Sequence, residues 1–151
     1  MGIKNRPGPG ISWSAMRKVL ERENICDSLK GRVQYFQTCY RGAHDQIGRI
    51  AIRLDGEEII KANFFDAHDD MKSAMCSPSF YDSFYEYKNS SIDKSLESPD
   101  PLVRLFAILD KRVGKRRLDK LLLEVEKQPE WLQAFYRLRL EAENVSSVQR
   151  T

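Results

Sequence analysis

A chain of 151 residues and 17.6 kDa, 41% hydrophobic and 31% charged, suffices for one domain with its own core and is too apolar for a disordered polymer. No stretch approaches the roughly 20 consecutive apolar residues of a membrane span. The three cysteines, Cys26, Cys39 and Cys76, offer no CxxC spacing, so neither a disulfide framework nor a cysteine zinc site is indicated and a cytoplasmic protein is expected. The net charge of +3 is unevenly spread. Residues 1–50 hold nine Lys or Arg against four acids, residues 51–100 five against eleven, and residues 101–151 eleven against seven.

Residues 1–11 read as a flexible lead-in, because Pro7-Gly8-Pro9-Gly10 suits neither a helix nor a ladder. The segment carries no apolar leader core, and Arg6 stands where a myristoylation signal needs Ser or Thr. Ser12 offers an N-cap, after which Trp13, Met16 and Leu20 share one face of a helix to about Asn24. From Gly31 the period changes to two, predicting a strand to about Tyr40 with Val33 and Tyr35 on one face. A second strand follows the loop Arg41 to Gly48, with Ile50, Ile52 and Leu54 alternating. Asp55-Gly56 between two alternating runs is a hairpin signal, since Gly relieves the steric penalty of positive φ, and Glu57 to Phe65 supplies the return.

Ser77-Pro78 opens a helix with an aromatic stripe of Phe80, Tyr81, Phe84 and Tyr85, and Lys88 to Ser98 reads as a polar loop. Asp100-Pro101 is a helix start, with Leu102, Leu105, Phe106 and Leu109 as its apolar face. Beyond Gly114 a second helix places Leu118, Leu121, Leu122 and Val125 together and stops at Gln128-Pro129. Trp131, Leu132, Phe135 and Leu138 mark a third, and residues 144–151 read as a frayed tail. The expected fold is α+β: an N-terminal helix packed on a three-stranded antiparallel β-meander, followed by a C-terminal group of three or four helices. Residues 12–143 form one domain, with the sheet layer in 12–65 and the helical part in 77–143.

Ser28-Leu29-Lys30-Gly31-Arg32-Val33-Gln34-Tyr35, Tyr40-Arg41, Gly48-Arg49 and above all the run from Leu109 to Leu118, LDKRVGKRRL, resemble the pattern of a bacterial and phage-type protein family with no assigned activity. The stretch from Asp66 to Ser98 is shorter than that pattern. The resemblance implies a bacterial or phage origin and a shared fold, and brings no chemistry with it.

Three groups of residues are candidates for function. Lys111, Arg112, Lys115, Arg116 and Arg117 gather five cations at a helix junction, where guanidinium forks suit phosphate oxygens. The same cations also complement the C-terminal dipole of the preceding helix. Phe80, Tyr81, Phe84 and Tyr85, in the acidic third, could anchor a partner or form a core stripe. His44-Asp45 and His68-Asp69 repeat an Ala-His-Asp tripeptide, so His44, His68 and Asp69 are the candidate metal ligands, with turn and capping roles as the simpler account.

The favoured reading is a non-enzymatic binding or regulatory protein acting through a protein partner, with no cofactor and in a phage- or defence-related setting suggested by the resemblance alone. The alternatives are a nucleic-acid or phosphate-binding module at the basic junction, and a small metal-dependent or His/Asp hydrolase. The helical tail, with Trp131, Phe135 and Tyr136, serves either a core or a self-association face, so a homodimer is a further alternative.

Overall fold

The computed structural model describes residues 11–39, 48–61 and 77–145. Ser12 caps helix α1 (Trp13–Lys18) by accepting the Ala15 N–H at 3.1 Å, and the helix runs on as a π-helical turn, Val19–Glu23. Met16 and Leu20 turn inward, as their spacing predicts. A short 3₁₀ turn, Asp27–Leu29, leads to Gly31, whose φ of +86° suits a residue without Cβ.

Strands β1 (Val33–Cys39), β2 (Gly48–Leu54) and β3 (Glu57–Lys61) form an antiparallel meander in the order β1-β2-β3. Val33 pairs with Leu54, Tyr35 with Ile52 and Cys39 with Gly48. The period of two puts Val33, Tyr35 and Ile52 on the buried face. Asp55 and Gly56 both adopt positive φ, 53° and 87°, the turn that the Asp-Gly pair favours. Between β2 and β3 the register slips: Ile52 faces Ile60 while Arg53 faces Glu58, leaving Ile59 as the extra residue of a bulge, 40% exposed. On the other flank, Glu21 accepts the Tyr35 N–H at 2.7 Å and Arg17 Nε at 2.9 Å, so the first helical segment is bound to the outer edge of β1.

Helix α2 (Ser77–Asn89) carries the aromatic stripe. Instead of a loop from Lys88 to Ser98, the chain forms a second short helix, α3 (Ile92–Leu96). Ser91 caps it by accepting the Lys94 N–H at 3.1 Å, while Ile92 and Ser95 are buried. A polar composition hid a five-residue helix held by its cap and by packing on its neighbour.

Helix α4 (Pro101–Leu109) is the centre of the core. Asp100 caps it through the Leu102 N–H at 2.9 Å, Pro101 fills the first turn, and seven of its nine residues are buried. Tyr35 of the sheet, Phe80 and Tyr87 of α2 and Phe106 of α4 meet with ring centroids 5.4 to 6.0 Å apart. This tilted aromatic cluster joins the sheet layer to the helices.

Helix α5 (Lys115–Leu121) tightens into a 3₁₀ segment, Leu122–Lys127. Three residues per turn bring Leu122 and Val125 into line toward the core, and leave Leu123 81% exposed. Helix α6 (Glu130–Ala142) buries Leu132, Phe135, Tyr136, Arg139 and Leu140. Of the expected tail, only Asn144 and Val145 are among the described residues, and they close the helix; residues 146–151 lie outside them. Asn144 adopts φ +60°, its N–H reaches the Glu141 carbonyl, the Val145 N–H reaches Leu140 at 2.7 Å, and the Val145 side chain is buried. That is a Schellman closure with Asn in the left-handed position.

Candidate functional site

The run LDKRVGKRRL divides into an internal and an external half. At the end of α4, residues 24–26 pair with residues 109–111: the Cys26 N–H donates to the Leu109 carbonyl at 2.8 Å and the Lys111 N–H to the Asn24 carbonyl at 2.7 Å. Asp110 is buried and accepts from the Arg112 backbone N–H at 2.7 Å, Arg112 Nε at 3.0 Å, Arg112 Nη2 at 2.7 Å and the Tyr87 hydroxyl. Asn24 Nδ2 donates to the Tyr87 oxygen at 3.0 Å. Burial alone would push the Asp110 carboxyl up, but the Arg112 and Tyr87 hydrogen bonds outweigh it and hold the group below the usual carboxylate range. Burial and donation to Asp110 push the Tyr87 phenol up.

Arg139 completes this assembly from α6. Its Nη1 donates to the carbonyls of Ile108 at 2.8 Å and Asp110 at 2.9 Å, its Nη2 to Val113 at 2.7 Å, and its Nε to Glu143 at 3.2 Å. A planar guanidinium thus satisfies carbonyls that the end of α4 leaves unpaired and cancels part of its dipole.

The external half begins at α5. Arg117 forms a bidentate pair with Asp93 of α3, at 2.7 and 3.1 Å, which holds that carboxyl below its usual range. Of the five cations singled out in the sequence, Arg112 and Arg117 are therefore committed to carboxylates. Lys111, Lys115 and Arg116 are exposed, with no side-chain ion pair among the described residues.

Between α3 and α5 lies a groove of about 650 Å³. Leu96 and Leu121 supply its apolar lining, Arg116, Arg117 and Lys120 its cations, and Asp93, Glu97 and Glu124 its carboxylates. Glu124 is itself paired with Lys127 at 3.2 Å. An open surface with apolar lining and charge of both signs can hold a partner's side chains. The residues lining it include no His, Cys or Ser nucleophile.

The aromatic stripe splits. Phe80 and Phe84 are fully buried, so the contact-surface role for these two gives way to the core: they sit on the side of α2 that meets the sheet and α4. Tyr81 and Tyr85 stay half-buried, with ring centroids 6.4 Å apart and Trp13 6.3 Å from Tyr81. His44, His68 and Asp69 lie outside the described residues. Among the described residues no group of three His, Cys, Asp or Glu is arranged to hold a metal ion. Cys26 is a buried free thiol with Sγ 3.5 Å from Ser28 Oγ.

Sequence reasoning missed Asn24, Tyr87 and Asp110 as one network, Arg139 as a core residue, and Asp93, Glu97 and Lys120 as walls of a groove. Arg139 alone carried a signal: it occupies the fourth place in the spacing Leu132, Phe135, Tyr136, Arg139, Leu140, where a helix buries whatever side chain stands there.

No curated protein and no solved structure matches this chain. A family model does match, over residues 12–72 and 66–140, and both Ser28–Tyr35 and Leu109–Leu118 fall inside the matched stretches. With the sheet half and the helical half both matched, the chain belongs to the SF0329 protein family.

Proposed function

We propose that the protein is a small non-enzymatic binding or regulatory protein that acts through a protein partner, received at the groove between α3 and α5. The observation that carries this reading is the balance of the lining: two leucines among three cations and three carboxylates. A protein segment can match such alternation, with apolar side chains desolvated at the centre and charges paired at the rim. A nucleic-acid surface needs charge of one sign along the backbone, and carboxylates beside it weaken binding. The buried free thiol of Cys26 suits a reducing cytoplasm, and the resemblance of Leu109 to Leu118 supports a bacterial or phage-related setting.

A photo-crosslinking residue at Leu123, exposed and adjacent in sequence to the groove, tests the reading in cells, with the same residue at Glu57 in the hairpin as control. The expected result is a discrete protein adduct from position 123 that survives nuclease and is absent from position 57. Adducts to nucleic acid alone, or none, would reject it.

A second reading, a nucleic-acid or phosphate-binding module, draws on Lys111, Lys115, Arg116 and Lys120, four exposed cations with no ion pair among the described residues. It predicts oligonucleotide affinity that falls steeply with salt, with a log–log slope of about −0.7 to −0.9 for each phosphate contacted. Affinity insensitive to salt would remove it.

A further inference from the structure

The groove's internal ion pairs narrow the chemistry of its occupant. Asp93 is taken by Arg117 in a bidentate contact, and Glu124 is taken by Lys127. What remains without a close ion pair among the described residues is Arg116 and Lys120 on one wall and Glu97 on the other, with Lys120 near enough to Asp93 to add to its stabilisation as a carboxylate. Arg116 and Lys120 stand four residues apart on α5, neighbours on one helix face about 5–6 Å apart at Cβ.

We infer that the groove binds an acidic peptide segment of the partner, carrying two carboxylates about one helical turn apart with an aliphatic side chain between them. The inference rests on the protein-partner reading and specifies it. The carboxylates meet Arg116, which no acid among the described residues pairs, and Lys120, whose only recorded interaction is at longer range with the already paired Asp93. The aliphatic side chain packs against Leu96 and Leu121, whose half-buried surfaces are the apolar part of the lining. Glu97 repels acid on the α3 wall, so it fixes which way the segment lies and disfavours a uniformly charged polyanion. Nucleic acid fits this geometry less well: no aromatic ring lines the groove to stack a base, and Glu97 would face a phosphate.

The test is a fluorescence-anisotropy titration of the full chain with short labelled peptides of equal length. Leucine residues alternate with glutamates in one, with glutamines in the second and with lysines in the third; a single-stranded oligonucleotide of equal charge is the fourth probe. The acidic peptide should bind most tightly. Arg116→Glu combined with Lys120→Glu should weaken it about tenfold or more, and Glu97→Gln should tighten it about threefold. The tightening guards the result, since a misfolded variant would not bind better. Equal binding of the three peptides, no binding of the acidic one, tighter binding of the oligonucleotide, or a double variant that binds as before would each overturn the inference. Sequencing the partner segment cross-linked from position 123 separates the two levels. An acidic, leucine- or isoleucine-bearing segment supports the inference; a neutral or basic segment sinks it while leaving the protein-partner reading intact.

Discussion

Arg112 and Arg116 lie four residues apart in one basic run, yet they belong to different parts of the molecule. Arg112 turns back on a buried carboxylate and, with Tyr87, encloses it; Arg116 reaches from the wall of an open groove and pairs with no acid among the described residues. The difference lies in what precedes each. Asp110 leaves the end of α4 with its side chain pointing into the core, so the next available cation is drawn in to neutralise it. After Gly114 a new helix starts, and its basic residues fall on the side that faces water. A charge run in a sequence is therefore not a unit of function. In this chain its first half secures the fold and its second half lines an open groove.

The largest effect that would sharpen this contrast comes from Arg139. Arg139→Ala leaves the carbonyls of Ile108, Asp110 and Val113 without their buried donor and should lower the unfolding free energy by about 3–5 kcal/mol, read by urea denaturation. A loss under about 1 kcal/mol, the worth of an ordinary surface contact, would break the idea that the internal half is a fold-securing assembly.

Asp110→Asn comes next, at about 2–3 kcal/mol, because a neutral amide cannot match the charge of Arg112. The pH dependence follows from the direction of its shift. The Asp110 carboxyl is held below its usual range when folded. Its stabilisation is therefore fully present above the ordinary aspartate pKa of about 3.9 and is lost as pH falls through the lower folded value. In acid titrations followed by circular dichroism, Asp110→Asn should flatten the decline below about pH 4 relative to the unmodified chain. An unchanged acid limb would mean that the buried carboxylate contributes nothing to it.

The smallest effect belongs to the external pair. Arg117→Ala should barely move the thermal midpoint, since its pair with Asp93 is solvent-accessible and its one other contact, to the Arg112 carbonyl, is long at 3.4 Å, while freeing Asp93 to repel acid in the groove and so weakening the acidic peptide. A clear drop in thermal midpoint would make α5 part of the same structural assembly as Arg112 and erase the distinction.

Much of the fold was legible because local rules and tertiary packing agree. Asp55-Gly56 specified the hairpin, Asp100-Pro101 the start of α4, and the period of two on either side of the turn selected Val33, Tyr35 and Ile52 for burial. Helix α3 was hidden because five residues in a Ser-rich stretch carry too little periodicity to declare themselves. The site was less legible than the fold. Arg117 and Asp93 are 24 residues apart, and nothing local records that α3 folds back beside α5. Phe80 and Phe84 were ambiguous for the opposite reason: a stripe of rings has the same spacing whether it meets a core or a partner, and only the presence of Tyr35 and Phe106 across from it decides.

The two flanks of the sheet bear on how the protein behaves when crowded. A strand with open N–H and C=O groups is a template on which another copy can grow. Along β1, Glu21 occupies the Tyr35 N–H, and along β3, Ile59 bulges out of register beside Glu57 and Glu58. Among the described residues, then, each flank carries a feature that disfavours addition of a further strand, a backbone N–H already taken on β1 and a bulge beside two carboxylates on β3, although the strands carry isoleucine, valine and tyrosine.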